Sequence, residues 1–576
     1  MPAELSMPTK STPPSLNSEL QPEYGWVSAG SADANSWRRR AVGKKRLRRA
    51  LAAIDRVTVL AFALPFCLYV LTLAPTIYNL DSAELTTAAA TNGLVRATGY
   101  PLYLLLGKFW ALLPVGDVGY RLNLMSAFFG ALTIALAERI LRRQQVSGWA
   151  RAGALGLLAT APYFWSLSLV AEVYTLHTAL MAGLVGWMMR WAEQPTRQGL
   201  AVGVWLAAIS MGNHAATVLL LPALVWYVIA TAPHLLRQWR TWTWAAAALL
   251  LGLSVYLLLP WRYTQMPAFN YVGAYNAQGE FIPTDLLSPR NLWWLMSGRT
   301  FAGQMMSYTA GELWQETVAF VNELGRSFFA IGLGPGLLGL AVWLRRDWRQ
   351  GVMLLLMFLG NAFFYINYRV IDKNTMFLPN YLIWALWLGL GYQALLHWIQ
   401  GNSGQNAWQR LGDIFTQNQT PTAERSEESK ASRTLVSQTQ WLVRGVMLLS
   451  VAAALAWTWR LVDLSEDWST RELGESIMAE LEPDAIVLGW WDTVPVLQYL
   501  QLVEGARSDV TLINRFLISG QDLEQLIYEE SSKRPIYINN PPVAFLRDME
   551  AVPVGPIFRL QPRDTNSVKL REQPDK

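Results

Sequence analysis

Residues 74–123 read APTIYNLDSAELTTAAATNGLVRATGYPLYLLLGKFWALLPVGDVGYRLN. The stretch follows an apolar run, Val57 to Leu73, that is long enough to cross a bilayer, so Asp81 and Glu84 fall a few residues beyond a membrane face. Acids at a lipid–water boundary are costly unless paired or hydrated, which makes them functional candidates. Behind them come an Ala-rich segment, a Gly-Tyr-Pro turn and Arg121 at the mouth of the next apolar run.

The remaining chain repeats the membrane signal. Of its 576 residues 52% are hydrophobic and 15% are charged, where soluble domains carry about a quarter. Apolar runs of span length recur throughout, and 28 Trp suit interfacial belts. The expected fold class is an α-helical multi-pass membrane protein. The net charge of +5 comes from short arginine clusters between spans, the ordinary mark of cytoplasmic loops, so nucleic acid is not an expected partner. The single Cys67 lies inside the first span and pairs with nothing in this chain. His177, His214, His234 and His397 are scattered without metal-ligand spacing. No cofactor is indicated, although carboxylates are able to hold a divalent ion.

Residues 1–50 form a polar tail ending in the basic cluster RRRAVGKKRLRR (38–49), which the positive-inside rule places in the cytoplasm. Later clusters must then also fall inside. Spans at about 122–140, 149–191 (a pair), 200–232 (a pair) and 242–259 satisfy this. So do spans descending to Arg345, rising to Tyr368, and running over 378–398 and 446–459. The count is about eleven, grouped as a transmembrane region, 51–399, and a last helix, 441–462. Between them Gln400 to Gln440 reads as a flexible cytoplasmic linker. Tyr100 to Leu113 is apolar but short, and is expected to lie in the interface. Residues 463–576 alternate strand-like runs (485–488, 510–513, 536–538) with helix-like ones (494–503, 522–530), a small extracytoplasmic α/β domain. Trp490, Trp491 and Asp492 follow its first strand, where ligands often sit in α/β sheets; packing or docking against the membrane part is the competing reading.

Asp81-Ser82-Ala83-Glu84 has two local readings. One is a capping box, with Asp81 as N-cap and Glu84 reaching back. The other is a carboxylate pair at a cavity mouth, one acting as general base on a hydroxyl. Arg121 is either a snorkelling anchor or a cation for phosphate. Arg96, Arg262, Arg299 and Lys373 are further cations on the external side, where arginines beside spans are uncommon. Asn123, Tyr100, Glu172, His177 and His214 mark the start of the second span and the outer turns; spacing alone favours ordinary turns.

In order along the chain, APTIYNLDSAE (74–84), GYPLYLLLGKFWALLPVGDVGYRLNLMSAFFGAL (99–132), AEVYTLH (171–177), ISMGNH (209–214) and DKNTMFLPNYLIWALWLGLG (372–391) resemble a known group. It comprises the bacterial relatives of an animal transmembrane protein O-mannosyltransferase. The tail, GWWDTVPVLQYLQLVEGARSDV (489–510), resembles the group's soluble region. The resemblance implies a type-C glycosyltransferase with a polyprenyl-phosphate sugar as donor, membrane lipid around it, and a protein or glycan acceptor. It implies that Asp81 and Glu84 are the catalytic pair, and places the protein in a bacterial cytoplasmic membrane. Donor-phosphate contacts are then expected from Arg121, Arg262, Lys373 and Arg96, and substrate contacts from Tyr100, Asn123, Glu172, His177 and His214. One departure stands out: the group usually has His-Pro-Pro before Gly-Tyr-Pro, and this chain has Arg96-Ala97-Thr98. A lipid-linked sugar flippase or a non-catalytic assembly protein are the alternative functions. A flippase would be expected to show internal repeats and mid-span charge, and no clear repeat is visible.

Overall fold

Leu378–Gln400 is apolar on every side, and it lies at the centre of the helical region. A helix of that kind must be surrounded by others. It meets Leu333–Arg346 most closely. A side chain on Gly339 would run into the Trp387 carbonyl, and one on Gly391 into the Pro335 carbonyl. Small residues let two backbones approach in this way, which is how packing compensates for the weak hydrophobic drive between helices in lipid. Residues 55–96, 98–400, 430–542 and 549–563 are described in the computed structural model, and from Val57 on they form one compact unit. The basic cluster 38–49, Ala97 and most of the expected linker lie outside the described residues.

Five described helices are long and apolar enough to cross a membrane: Val118–Arg143, Trp239–Thr264, Trp348–Ile366, Lys373–Ile399 and Gln438–Val462. Trp239–Thr264 and Gln438–Val462 carry much of their apolar surface outward, including Trp242, Leu250, Leu251, Leu449 and Trp457. A soluble protein would not leave such patches to water. Other expected crossings are made of shorter pieces. Arg56–Leu71 has 16 residues, and residues 149–171 fold as Gly148–Ala159 and Pro162–Ser166. The sixth expected crossing is a 3-10 turn, Ala215–Leu220, running into Leu221–Thr231. The last helix begins at Lys430, so the C-terminal part of the expected linker is helical.

After Val462 the chain builds a five-stranded mixed sheet in the order β4-β3-β5-β7-β6. β3 (Ile486–Gly489) pairs in parallel with β4 (Thr511–Asn514) and with β5 (Ile536–Ile538). β6 (Met549–Val554) and β7 (Ile557–Pro562) close it antiparallel, β7 lying against β5. Val494–Leu502 and Gly520–Glu530 make the two crossovers that parallel strands require. A two-stranded hairpin, β1 (Gly273–Tyr275) and β2 (Phe281–Pro283), stands in the long 260–325 connection.

The sheet unit is seated on the stretch that opens the sequence. Ile77 and Ala83 share one hydrophobic core with Ile477, Val494, Leu497 and Tyr499. Arg471 bonds both oxygens of Glu504 at 2.8 and 2.7 Å and meets Asp117 at 3.3 Å. Gly119 has no room for a side chain against the Ile77 backbone, and its N–H donates to the Tyr499 hydroxyl at 3.3 Å. From the other side, buried Asn123 donates to the carbonyls of Ala74 and Thr76 at 3.0 and 2.8 Å. Residues 74–80 are thus fixed from two directions.

Candidate active site

The helix Asp81–Thr91 opens beneath that joint. Its N-cap is Leu80, with φ 55°, and no side chain caps it. This corrects the capping-box reading. Asp81 is the first helical residue rather than the cap, because Leu80 turns the chain through the left-handed region, a strained conformation for a non-glycine residue. Both acids are thereby free to bond elsewhere.

Asp81 receives two donors on the same oxygen. Arg96 Nη2 and the Trp491 indole N–H each reach Oδ1 at 3.0 Å. No described residue donates to Oδ2, and the side chain is 37% exposed. Glu84, one helical turn on, is 2% exposed. Its Oε1 accepts the Arg96 backbone N–H at 3.3 Å, and Oε2 lies 3.7 Å from Arg96 Nε. Burial pushes Glu84 up to about 8, the Arg96 guanidinium opposing the shift and Asp81 adding to it. The two carboxyl groups are therefore dissimilar, one buried and proton-retaining, the other partly open and ion-paired, an arrangement that separates acid and base roles.

Arg96 sits between them. Its guanidinium lies 3.7 Å over the Trp491 ring, with Phe516 at 5.3 Å and Phe301 at 5.6 Å. Burial works against its charge, but Asp81 and Glu84 outweigh this, and its net shift is upward. Two more acids face the cluster. Burial raises Glu172 well above the usual range, and repulsion from Asp81 and Asp372 adds to it. Burial likewise raises Asp372, helped by Asp81. Among the described residues no three His, Cys, Asp or Glu are grouped as metal ligands would be.

Aromatic and imidazole groups form the adjoining wall. Tyr100 adopts φ 38° and stacks on His214 with ring centres 6.0 Å apart. His214 also meets Tyr174 at 5.5 Å and His177 at 5.3 Å. Both ring nitrogens of buried His177 lack a hydrogen-bond partner among the described residues. Buried polar atoms left unpaired are costly, so this wall is built to meet a polar group or water.

The other expected site residues are occupied elsewhere. Arg121 donates to the carbonyls of Ala111, Val115 and Gly116 at 2.7, 2.8 and 2.9 Å, closing the end of the helix Pro101–Ala111. Asn123 holds backbone. Arg262 is buried and donates to the Gly93 carbonyl at 3.1 Å. Lys373 pairs with Glu316 and donates to the Tyr308 hydroxyl at 3.0 Å. Of the four cations expected to meet phosphate, Arg96 is the one brought to the acid pair. Trp491, Phe516, Phe301 and Asp372 were absent from the expected site. The Trp-Trp-Asp run after β3 and the charged loop before Lys373 were the available signals for two of them. Nothing local marked the two phenylalanines.

Residues 81–237 match the family model of the protein O-mannosyl-transferase TMEM260 N-terminal domain. The match begins at Asp81 and takes in Glu84, Arg96, Tyr100, Glu172, His177 and His214. Protein O-mannosyl-transferase TMEM260 of Mus musculus is 29% identical over 225 residues, 38% of this chain and 31% of that protein. The Dictyostelium discoideum protein of the same name is 22% identical over 504 residues, 80% of this chain and 57% of that one. The chain thus spans about a third to somewhat over half of the length of these relatives. In fold it is similar to the crystal structure of ArnT from Cupriavidus metallidurans bound to undecaprenyl phosphate. The TM-score is 0.52 at 12% identity, covering 88% of this chain and 97% of that one. The motif resemblance to the TMEM260-type O-mannosyltransferases holds, and the helical fold is similar to that of ArnT.

Proposed function

We propose that the chain is an integral membrane glycosyltransferase that moves a sugar, mannose by its likeness to the TMEM260 proteins, from a polyprenyl phosphate to an acceptor hydroxyl. The observation that carries this is the asymmetry of Asp81: two donors fix Oδ1, and Oδ2 is left open in a partly exposed site. A carboxylate held by one oxygen and free at the other is suited to take a proton from an alcohol as it attacks.

In the proposed step the acceptor oxygen bonds to the anomeric carbon while its proton passes to Oδ2 of Asp81. The bond from that carbon to the phosphate oxygen breaks, and its electron pair leaves with the polyprenyl phosphate. Charge on the carbon is oxocarbenium-like in the transition state, and nearby carboxylates stabilise it. Arg96 offsets charge gathering on the phosphate; its Nη1 has no partner among the described residues. Glu84, carrying its proton, leaves Arg96 available for that task. Tyr100, Tyr174, His177 and His214 form the wall that receives the sugar hydroxyls. One displacement without a protein nucleophile inverts the anomeric centre.

In this reading the chain crosses a bacterial cytoplasmic membrane about eleven times. The N-terminus is cytoplasmic, and the acid pair and the sheet unit lie outside at headgroup depth, within reach of a lipid-anchored donor. The test is transfer by the purified protein from synthetic mannosyl phosphoryl polyprenol of known anomeric configuration, following release of polyprenyl phosphate and the anomer formed. Release with inversion supports the reading. Retention would require a covalent intermediate and remove Asp81 from the role of base.

A further inference from the structure

We infer that Trp491 is a positioning residue for Asp81, so that the C-terminal sheet unit is part of the active site rather than an appendage. The inference rests on the proposed role of Asp81. Its geometry is independent of that role. The indole N–H, carried on the turn after β3, reaches Oδ1 of an acid 410 residues away in sequence, at 3.0 Å. The same ring supplies the flat face on which Arg96 lies at 3.7 Å, and Arg96 is the second donor to that oxygen. One side chain thereby sets both partners of the carboxylate.

Trp491 is itself held on several sides. It is 9% exposed and packs edge-on against Tyr271, ring centres 5.0 Å apart, and Phe516, 5.4 Å apart. The backbone N–H of Trp490 donates to Asn539 Oδ1 at 3.1 Å, tying the turn after β3 to the end of β5. The Arg471 contact with Asp117 ties the sheet unit to the start of the helix Val118–Arg143, and Val494–Leu502 packs directly on the Asp81 helix through Ala83. A tryptophan serving only to fill space would have no reason to aim its one donor at a carboxylate oxygen. Catalytic groups must be held to within about half an ångström of their productive position, and this requires a locked supporting residue.

With both donors on Oδ1, the carboxylate cannot swing, and Oδ2 presents one fixed lone pair to the acceptor. Removing the N–H leaves Arg96 as the one donor to Oδ1, so the carboxylate is held less firmly about its bond to Cβ while the aromatic and imidazole wall stays as it is. The expected effect is therefore on turnover rather than on affinity.

Two substitutions divide the indole's contributions. Trp491→Phe keeps an aromatic face for Arg96 and removes the N–H. Trp491→His keeps a ring N–H and gives up most of the face. With mannosyl phosphoryl polyprenol as donor, Trp491→Phe is expected to lower kcat about ten- to a hundredfold, the range for a hydrogen bond to a charged group. KM for the donor should stay within about twofold. Trp491→His should retain more kcat than Trp491→Phe and show the larger rise in KM. If either variant cannot be purified, benzothienylalanine at position 491, tryptophan-shaped but without an N–H, answers the same question. A Trp491→Phe enzyme with wild-type kcat, or the reverse order of the two variants, overturns the inference. Absence of transfer by the wild-type protein would instead remove the proposed function, so the two failures are distinguishable.

Discussion

The protonation of Glu84 gives the most quantitative expectation. Glu84 is raised from the ordinary 4.5 to about 8 by burial. Between those pH values the folded protein keeps a proton that the unfolded chain releases. The folded pKa is the higher one, so this contribution is fully present below 4.5 and is lost as pH rises through 8. The slope in that window is about 1.4 kcal/mol per pH unit, on the order of 5 kcal/mol across it. For a chain of this size that corresponds to roughly 1 °C of melting temperature per pH unit. Glu84→Gln replaces the protonated carboxyl by a neutral group of the same shape and removes the term. Thermal midpoints of detergent-purified protein, followed by tryptophan fluorescence from pH 5 to pH 9, should fall with pH more steeply in the wild type than in the variant. Activity should follow the same logic. Above pH 8 ionised Glu84 competes with the donor phosphate for Arg96, so donor KM should rise in the wild type and stay level in Glu84→Gln. Equal slopes in the two proteins would show that Glu84 is already ionised in the fold. Loss of most activity at pH 6.5 in Glu84→Gln would show that its charge is needed.

Two further substitutions test other parts of the account. Arg96→Lys retains the charge but loses the planar stack on Trp491 and the fork that reaches Asp81 and Glu84 together. It should lower kcat/KM for the lipid-linked donor about ten- to a hundredfold in the release assay, and Arg96→Gln should lower it further. Gly391→Leu drives a side chain into the Pro335 carbonyl and should lower the melting temperature and purified yield, whereas Gly148→Leu, where nothing lies within 4 Å, should leave both unchanged.

The sequence carried the membrane class and the place of the acid pair in the chain because both are local signals. Long apolar runs define the first, and two acids just past such a run define the second. The strand-like runs at 485–488, 510–513 and 536–538 correspond to β3, β4 and β5 because buried parallel strands are continuous in apolar residues. Helix lengths were harder to read. Pro162 and the Asn213-His214 turn break apolar runs that look continuous in composition, so several expected crossings are assembled from short helices. The capping reading failed on the backbone of one residue, since nothing about leucine announces that Leu80 turns left-handed. Arg121 was legible as an arginine at a span mouth, but not as a group consumed by three carbonyls. The convergence of Asp81 and Arg96 with Trp491 and Phe516 joins the opening stretch to the sheet unit, 410 residues apart at the Asp81–Trp491 bond, and no local pattern encodes contacts at that range.

The most direct measurement is the rate of polyprenyl phosphate release and sugar transfer from labelled mannosyl phosphoryl polyprenol by Asp81→Asn, beside wild type. Asparagine keeps the size of the side chain and an oxygen for Arg96 and Trp491, and removes the basic lone pair. The account predicts a fall in kcat of about a hundred- to ten-thousandfold, with the donor still bound. Turnover within a few-fold of wild type would show that the proton goes elsewhere and that Asp81 is not the base.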